Sequence, residues 1–190
     1  MVPESKPERT AHGLAPDCSG WFVLNMRDAE WRHVEGRGAV CVVMDDFENV
    51  RQSDQLGVNP FVLLPGEPMG MYHAEGDQED FLVVSGEAVL VVEGEERPLR
   101  AWDFVHCPPR TRHVLVGAGA GPCLVIAVGA RSRDELSFPA DDVARRHGAS
   151  VDTDTGDGSV AYASVPPRRP TAYREGWLPD EPRRPGEPVD

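Results

Sequence analysis

From Trp21 to Val128 the sequence repeats one pattern: a short apolar or β-branched run, closed by Gly, Pro, Asn or Asp. The runs are Trp21 to Asn25, Val40 to Met44, Phe61 to Leu64, Phe81 to Ser85, Ala88 to Glu93, Asp103 to Cys107, Arg112 to Val116 and Leu124 to Val128. Gly86-Glu87 and Gly94-Glu95 read as tight turns, Pro108-Pro109 as a rigid one, and Arg27 to Val34 as an excursion between strands. Many short strands with no long helical period between them predict an all-β sandwich or barrel. Without an internal repeat there is one such barrel, expected over residues 18–133.

Outside the barrel the pattern changes. Residues 1–17 are polar and rich in Pro and Glu, which predicts a disordered tail. A short helix is expected within 134–148: Pro139 suits its first turn, Asp141 and Asp142 its positive end, Arg145, Arg146 and His147 its negative end, and Gly148 its stop. Residues 149–190 turn to Asp, Gly and Ser, then Pro and Arg, and read as a partly docked tail. Tyr173 and Trp177 carry the docking expectation, on the barrel or on a second subunit, because aromatic rings are wasted in a solvated segment.

Composition removes several classes of function. A formal charge of −13 opposes binding to nucleic acid or to an anionic membrane, both of which call for clustered Lys and Arg. No stretch approaches the roughly 20 apolar residues that span a bilayer, and Met1 to Pro16 lacks a signal-peptide core, so a cytoplasmic protein is expected. Cys18, Cys41, Cys107 and Cys123 show no Cys-x-x-Cys spacing, so reduced thiols are the expectation. No Gly-x-Ser-x-Gly, phosphate loop or dinucleotide fingerprint occurs.

Chemistry concentrates in two blocks, His73-Ala-Glu75 with Glu79, and Pro108 to His113. Residues two apart in a strand share a face, so His73 and Glu75 can point together into a barrel. Neutral imidazole mixed with carboxylate suits Fe, Mn, Ni or Zn, and two carboxylates beside two imidazoles shift the preference toward Fe(II) or Mn(II). Taken singly, a strand histidine is more often structural, and the run Glu75, Asp77, Glu79, Asp80 is what a solvated acidic loop also looks like. Around the cluster, Tyr72, Gln78, Phe81, Phe104 and His106 are candidate pocket residues. Gln78 would be an outer partner and Tyr72 would face away from the ion. His106 points inward only if Phe104 does.

At these residues the chain resembles the cupin superfamily. Glu79 and Gly86 keep the interval of that family's first motif, and Trp102, Pro108, Arg110 and His113 fall at the places of the second, with both of its glycines replaced. The resemblance covers about residues 58 to 130 and implies a double-stranded β-helix, the cupin jelly-roll barrel, with a short C-terminal helix and extended tails. It also implies a divalent metal held by His73, Glu79 and His113, with Glu75 where the family has a second histidine. An alignment begun at Gly66 instead puts Tyr72 and Ala74 at the histidine places; the His73 register keeps an imidazole. Arg110 in place of a turn glycine suggests a turn of different shape. Dimers are a habit of the family, so a homodimer is expected. Three functions stay open: an oxygenase-type metal enzyme, a metal-dependent isomerase or lyase acting on a small molecule, and a non-catalytic small-ligand module.

Overall fold

The computed structural model describes residues 1–16, 19–41, 43, 53, 55–131 and 135–180. Cys18, the end of the run Val40 to Met44, residues 132–134 and the last stretch of the tail lie outside the described residues. In chain order the strands are β1 (Glu8–Arg9), β2 (Leu14–Ala15), β3 (Glu30–His33), β4 (Ala39–Cys41), β5 (Leu56–Leu63), β6 (Ala74–Glu75), β7 (Glu79–Ser85), β8 (Glu87–Val92), β9 (Glu95–Arg100), β10 (Phe104–Cys107), β11 (His113–Ala118), β12 (Cys123–Ala130) and β13 (Leu136–Ser137). Two short helices follow, α1 (Asp142–Arg146) and α2 (Gly158–Ala161), and then β14 (Arg169–Ala172).

The architecture is all-β and antiparallel, a double-stranded β-helix. One sheet runs β10-β7-β12-β5-β4-β3-β14, and the other runs β11-β8-β9. Their inner faces close on one core, in which Leu63, Phe81, Val83 and Val125 of the large sheet meet Ala88, Leu90 and Leu115 of the small one. Period-two alternation sets this up: along β7, Phe81 and Val83 are buried in this core while Leu82 and Val84 lie on the sheet's other face, where Val84 packs against the Trp31 cluster. None of the helices among the described residues is long and apolar enough to cross a membrane.

Several elements depart from the sequence reading for identifiable reasons. Glu95–Arg100 carries almost no apolar residues, yet it forms β9 as the exposed edge of the small sheet, where Pro98 is tolerated. Pro60 does not interrupt β5, because β4 pairs only as far as Phe61 and β12 alone continues alongside. The segment Arg27 to Val34, expected as an excursion, contributes β3 to the large sheet. Residues 1–16 are a correction to the expected disordered tail: β1 pairs with β2, the Ser5 amide donates to the Trp21 carbonyl, and the Leu14 amide donates to Asp28. Backbone pairing of this kind leaves no hydrophobic signature to read.

The helix is shorter than expected. Asp141 caps α1, its carboxylate accepting from the Val143 and Ala144 amides, and the chain leaves the helix through His147 and Gly148, the latter at φ +65°. Pro139 therefore precedes the cap rather than opening the first turn. The tail docks on the barrel of its own chain. β14 pairs with β3, and Trp177, 8% exposed, lays its ring 5.2 Å from that of Trp31.

Two turns keep a conformation that the residue types disfavour. Trp102 and Arg110, which stand where the family motif has glycines, sit at φ +75° and +71°. A left-handed φ at a residue with a side chain costs about 1–2 kcal/mol.

Candidate metal centre

The sheet register brings three side chains to one point. His73 and His113 exchange both backbone hydrogen bonds, His113 amide to His73 carbonyl at 2.8 Å and the reverse at 3.1 Å. Residues paired in this way project to the same side, and the two rings stand 4.9 Å apart, centroid to centroid. Glu79, the first residue of β7, faces the same interior, and its Oε2 lies 3.1 Å from His113 Nε2 and 3.4 Å from His73 Nε2. One ligand-capable atom from each of the three falls within 4.8 Å of the others.

The tautomers are set from behind. His73 Nδ1 lies 2.7 Å from the Met71 carbonyl and His113 Nδ1 lies 3.0 Å from the Thr111 carbonyl. A carbonyl only accepts, so each Nδ1 carries a proton and each Nε2 is the nitrogen turned toward Glu79, open to a cation or, without one, to a second proton. His113 Nε2 and Glu79 Oε2 are buried without completing a hydrogen bond to any group. Buried polar atoms left in this state cost free energy unless something else satisfies them. Two imidazole nitrogens and a carboxylate oxygen converging in this way fit a divalent cation.

Electrostatics tie the cluster together. Burial pushes the Glu79 carboxyl up, but His113 and His73 outweigh it and hold the group down at about 2. For His113, burial pulls downward, while the Cys107 and Glu79 side chains raise the imidazole to about 9. His73 is likewise lowered by burial and raised further by Glu75 and Glu79, ending well above its usual value. Without a metal, the histidines take up protons that a metal would have to displace.

Glu75 sits at the rim. Its Oε1 is 3.6 Å from His73 Nε2, its side chain is 35% exposed, and it lies outside the tight three-residue group. The candidate pocket residues separate clearly. Phe81 is buried beneath the site, its ring 5.2 Å from that of His113. Tyr72 is buried on the far side of the strand, packed against Val91, Val114 and Ala149, with its hydroxyl accepting from the Gly94 amide. Gln78 is tied to Asp80 on the surface. Phe104 and His106 are corrected to the outside: Val105 and Cys107 take the inward places on β10, leaving Phe104 65% exposed and His106 paired with Asp80 at 2.6 Å.

A cavity of about 770 Å³ opens onto the cluster and is lined by His73, Glu75, Glu79 and His113. Residues that the sequence reading missed complete it. Phe138, from beyond the barrel, places its ring 6.1 Å from that of His73, and Tyr162 stacks edge-on against Phe138. Asn59 lines the floor. Its only signal in sequence is a polar residue inside the apolar run of β5.

Residues 59–129 match the family model of the cupin domain, so this stretch of the chain is similar to that family. None of the curated proteins matches it. Among solved structures it is similar to a candidate sugar phosphate isomerase from Acidithiobacillus ferrooxidans, with 25% identity over 44% of this chain and a TM-score of 0.41. The match spans 54% of that protein's length. It is also similar to the polyketide cyclase RemF from Streptomyces resistomycificus, at 16% identity, 60% of this chain, 82% of that one and a TM-score of 0.49. A double-stranded β-helix protein from Klebsiella pneumoniae gives 21% identity, 60% and 93% coverage, and a TM-score of 0.49.

Proposed function

We propose that this protein is a mononuclear metal-dependent enzyme acting on a small molecule. His73, Glu79 and His113 hold a divalent ion, and Glu75 stands beside them as a further ligand or as a proton acceptor. The observation that carries the reading is the pair of buried atoms, His113 Nε2 and Glu79 Oε2, left without hydrogen bonds while each histidine is locked from behind by a carbonyl.

The residues present divide the work. His113, 1% exposed, and Glu79 anchor the site on two strands of different sheets, so the donor set is rigid. The rim position of Glu75 lets its carboxylate reach a bound molecule and take or return a proton. Phe138 and Tyr162 wall the cavity and limit water around it. When bound, the ion supplies Lewis-acid polarisation or a place for oxygen chemistry, corresponding to the isomerase or lyase branch and the oxygenase branch.

Elemental analysis of protein purified without a nickel column tests the reading, with His113→Ala and Glu79→Ala alongside. About one equivalent of Fe, Mn, Ni or Zn in the wild type, lost in both variants, is the expected result. Wild-type protein that takes up none of these ions after incubation would contradict it and favour a non-catalytic ligand-binding barrel.

A further inference from the structure

Met71 holds two side chains at once. Its carbonyl accepts from His73 Nδ1 at 2.7 Å, and its amide donates to the Tyr162 hydroxyl at 3.1 Å. One residue thus fixes both a ligand of the proposed metal centre and a phenol. His73, lowered by burial and raised by Glu75 and Glu79, is raised further by Tyr162, which puts that hydroxyl within electrostatic reach of the imidazole.

The amide that reaches Tyr162 is a reinforced donor. The Gly70 carbonyl belongs to the same peptide unit, and it accepts from the Arg37 guanidinium at 2.8 Å. A cation on the oxygen of an amide polarises the whole unit, so the N–H at its other end binds the Tyr162 oxygen more strongly. Gly70 also leaves the space this needs: a Cβ there would meet the Tyr162 hydroxyl oxygen at 3.0 Å. The ring is held as well, edge-on to Phe138 with centroids 5.8 Å apart.

What this clamp leaves unspent is the hydroxyl hydrogen. Tyr162 accepts from Met71, but its own O–H has no acceptor among the described residues. The side chain is half-buried and lines the same cavity as His73, Glu79 and His113. A phenol fixed at its ring and at its oxygen has one free function, donation into the cavity.

We propose that Tyr162 is the oxyanion donor of this cavity: its hydroxyl donates to an oxygen of the molecule bound at the metal. The class of molecule is a carbonyl or hydroxy compound whose oxygen carries or gains negative charge, as in an enolate or an alkoxide. The inference rests on the metal-centre reading for where that oxygen is held, and on the Met71 clamp for the donor. A donor already in place as charge develops stabilises it without reorganisation. Arg37 acts through the Gly70 to Met71 peptide and is a positioning residue.

The test is a titration of the full chain, loaded with Co(II) and followed by the visible absorption of that ion, with acetohydroxamate, whose two oxygens chelate divalent ions and share its negative charge. The wild type is expected to take up Co(II) and bind the hydroxamate. Tyr162→Phe keeps the ring against Phe138, so it should take up Co(II) as the wild type does and bind the hydroxamate about tenfold more weakly, the worth of one hydrogen bond to a charged oxygen. Gly70→Ala presses on the hydroxyl without altering Tyr162 and should weaken the hydroxamate in the same direction; it decides the matter should Tyr162→Phe fail to fold. Tyr72→Phe, whose hydroxyl accepts from the Gly94 amide on the far side of the strand, should match the wild type. Wild-type hydroxamate affinity in Tyr162→Phe, or a wild-type chain that takes up Co(II) and ignores the hydroxamate, overturns the tyrosine assignment and leaves the metal centre standing. Weakened Co(II) uptake in Tyr162→Phe also overturns it, because the hydroxyl would then act on His73 through Met71 and not on a bound molecule. A wild-type chain that takes up no Co(II) refutes the metal centre, and the tyrosine assignment with it.

Discussion

Two histidine–carboxylate pairs use opposite faces of β7: Glu79 meets His113 of β11 inside, and Asp80 meets His106 of β10 outside. Cys107 opposite Glu79 faces the barrel interior, and His106 opposite Asp80 faces solvent, because one residue of offset reverses the face. On the outside, His106 and Asp80 approach to 2.6 Å, closer than His113 and Glu79 at 3.1 Å, yet the outer histidine is 51% exposed in its side chain and the inner one 2%. The closer pair is the less consequential. Solvent satisfies whatever the outer pair leaves unmade, whereas the inner pair is shut off from water, so its atoms are satisfied only by a proton or a cation held between them.

The contrast is sharpest in the rings next to each pair. Phe81 packs in the core against His113, and Phe104 is its exposed counterpart on β10. Chemical denaturation should show Phe81→Ala losing about 3–5 kcal/mol of stability, and Phe104→Ala staying within about 0.5 kcal/mol of wild type. Equal losses would erase the distinction between the faces.

Metal affinity comes next. Competition with a chromogenic chelator should show Glu79→Gln weakened on the order of 100-fold or more, since even outer partners of metal ligands cost 10–100-fold. His106→Ala should match the wild type in the same assay.

A smaller effect appears in pH. The His113 imidazole is raised from an ordinary 6.5 to about 9, so its contribution to the metal-free fold is complete below pH 6.5 and is lost as pH rises through 9. Glu79 is depressed to about 2, so its contribution holds above pH 4.5 and fails as pH falls through 2. Metal binding runs the other way, gaining as the histidines give up protons. Thermal melts should therefore show the gap in Tm between metal-loaded and stripped protein widening from pH 6.5 to 9. A gap that narrows over that range would mean that the histidines do not hold the ion. Smallest of all, a double-mutant cycle on His106 and Asp80 should give a coupling below about 1 kcal/mol.

Much of this was legible in sequence, for reasons particular residues make plain. The apolar run Phe81 to Ser85 announces a buried strand, and the spacing of Glu79, Gly86, Pro108 and His113 carries the resemblance to the family. Backbone pairing across the chain stayed hidden. Only the structure shows His73 bonded directly opposite His113, or β14 carrying Trp177 onto Trp31. The loss of a motif glycine at Arg110 suggested a turn of different shape, and sequence alone does not show that Arg110 and Trp102 both take a left-handed φ. His106 was undecidable from its neighbours alone. Its face follows from Val105 and Cys107 packing inward, which the pattern Phe-Val-His-Cys states no more strongly than its reverse.

The most direct test of the central claim is anomalous diffraction from crystals soaked in Mn(II) or Fe(II), recorded at the metal edge. The account predicts one strong peak within bonding distance of His73 Nε2, His113 Nε2 and Glu79. A peak at His106 and Asp80 instead, or none at the His73 cluster, would contradict it.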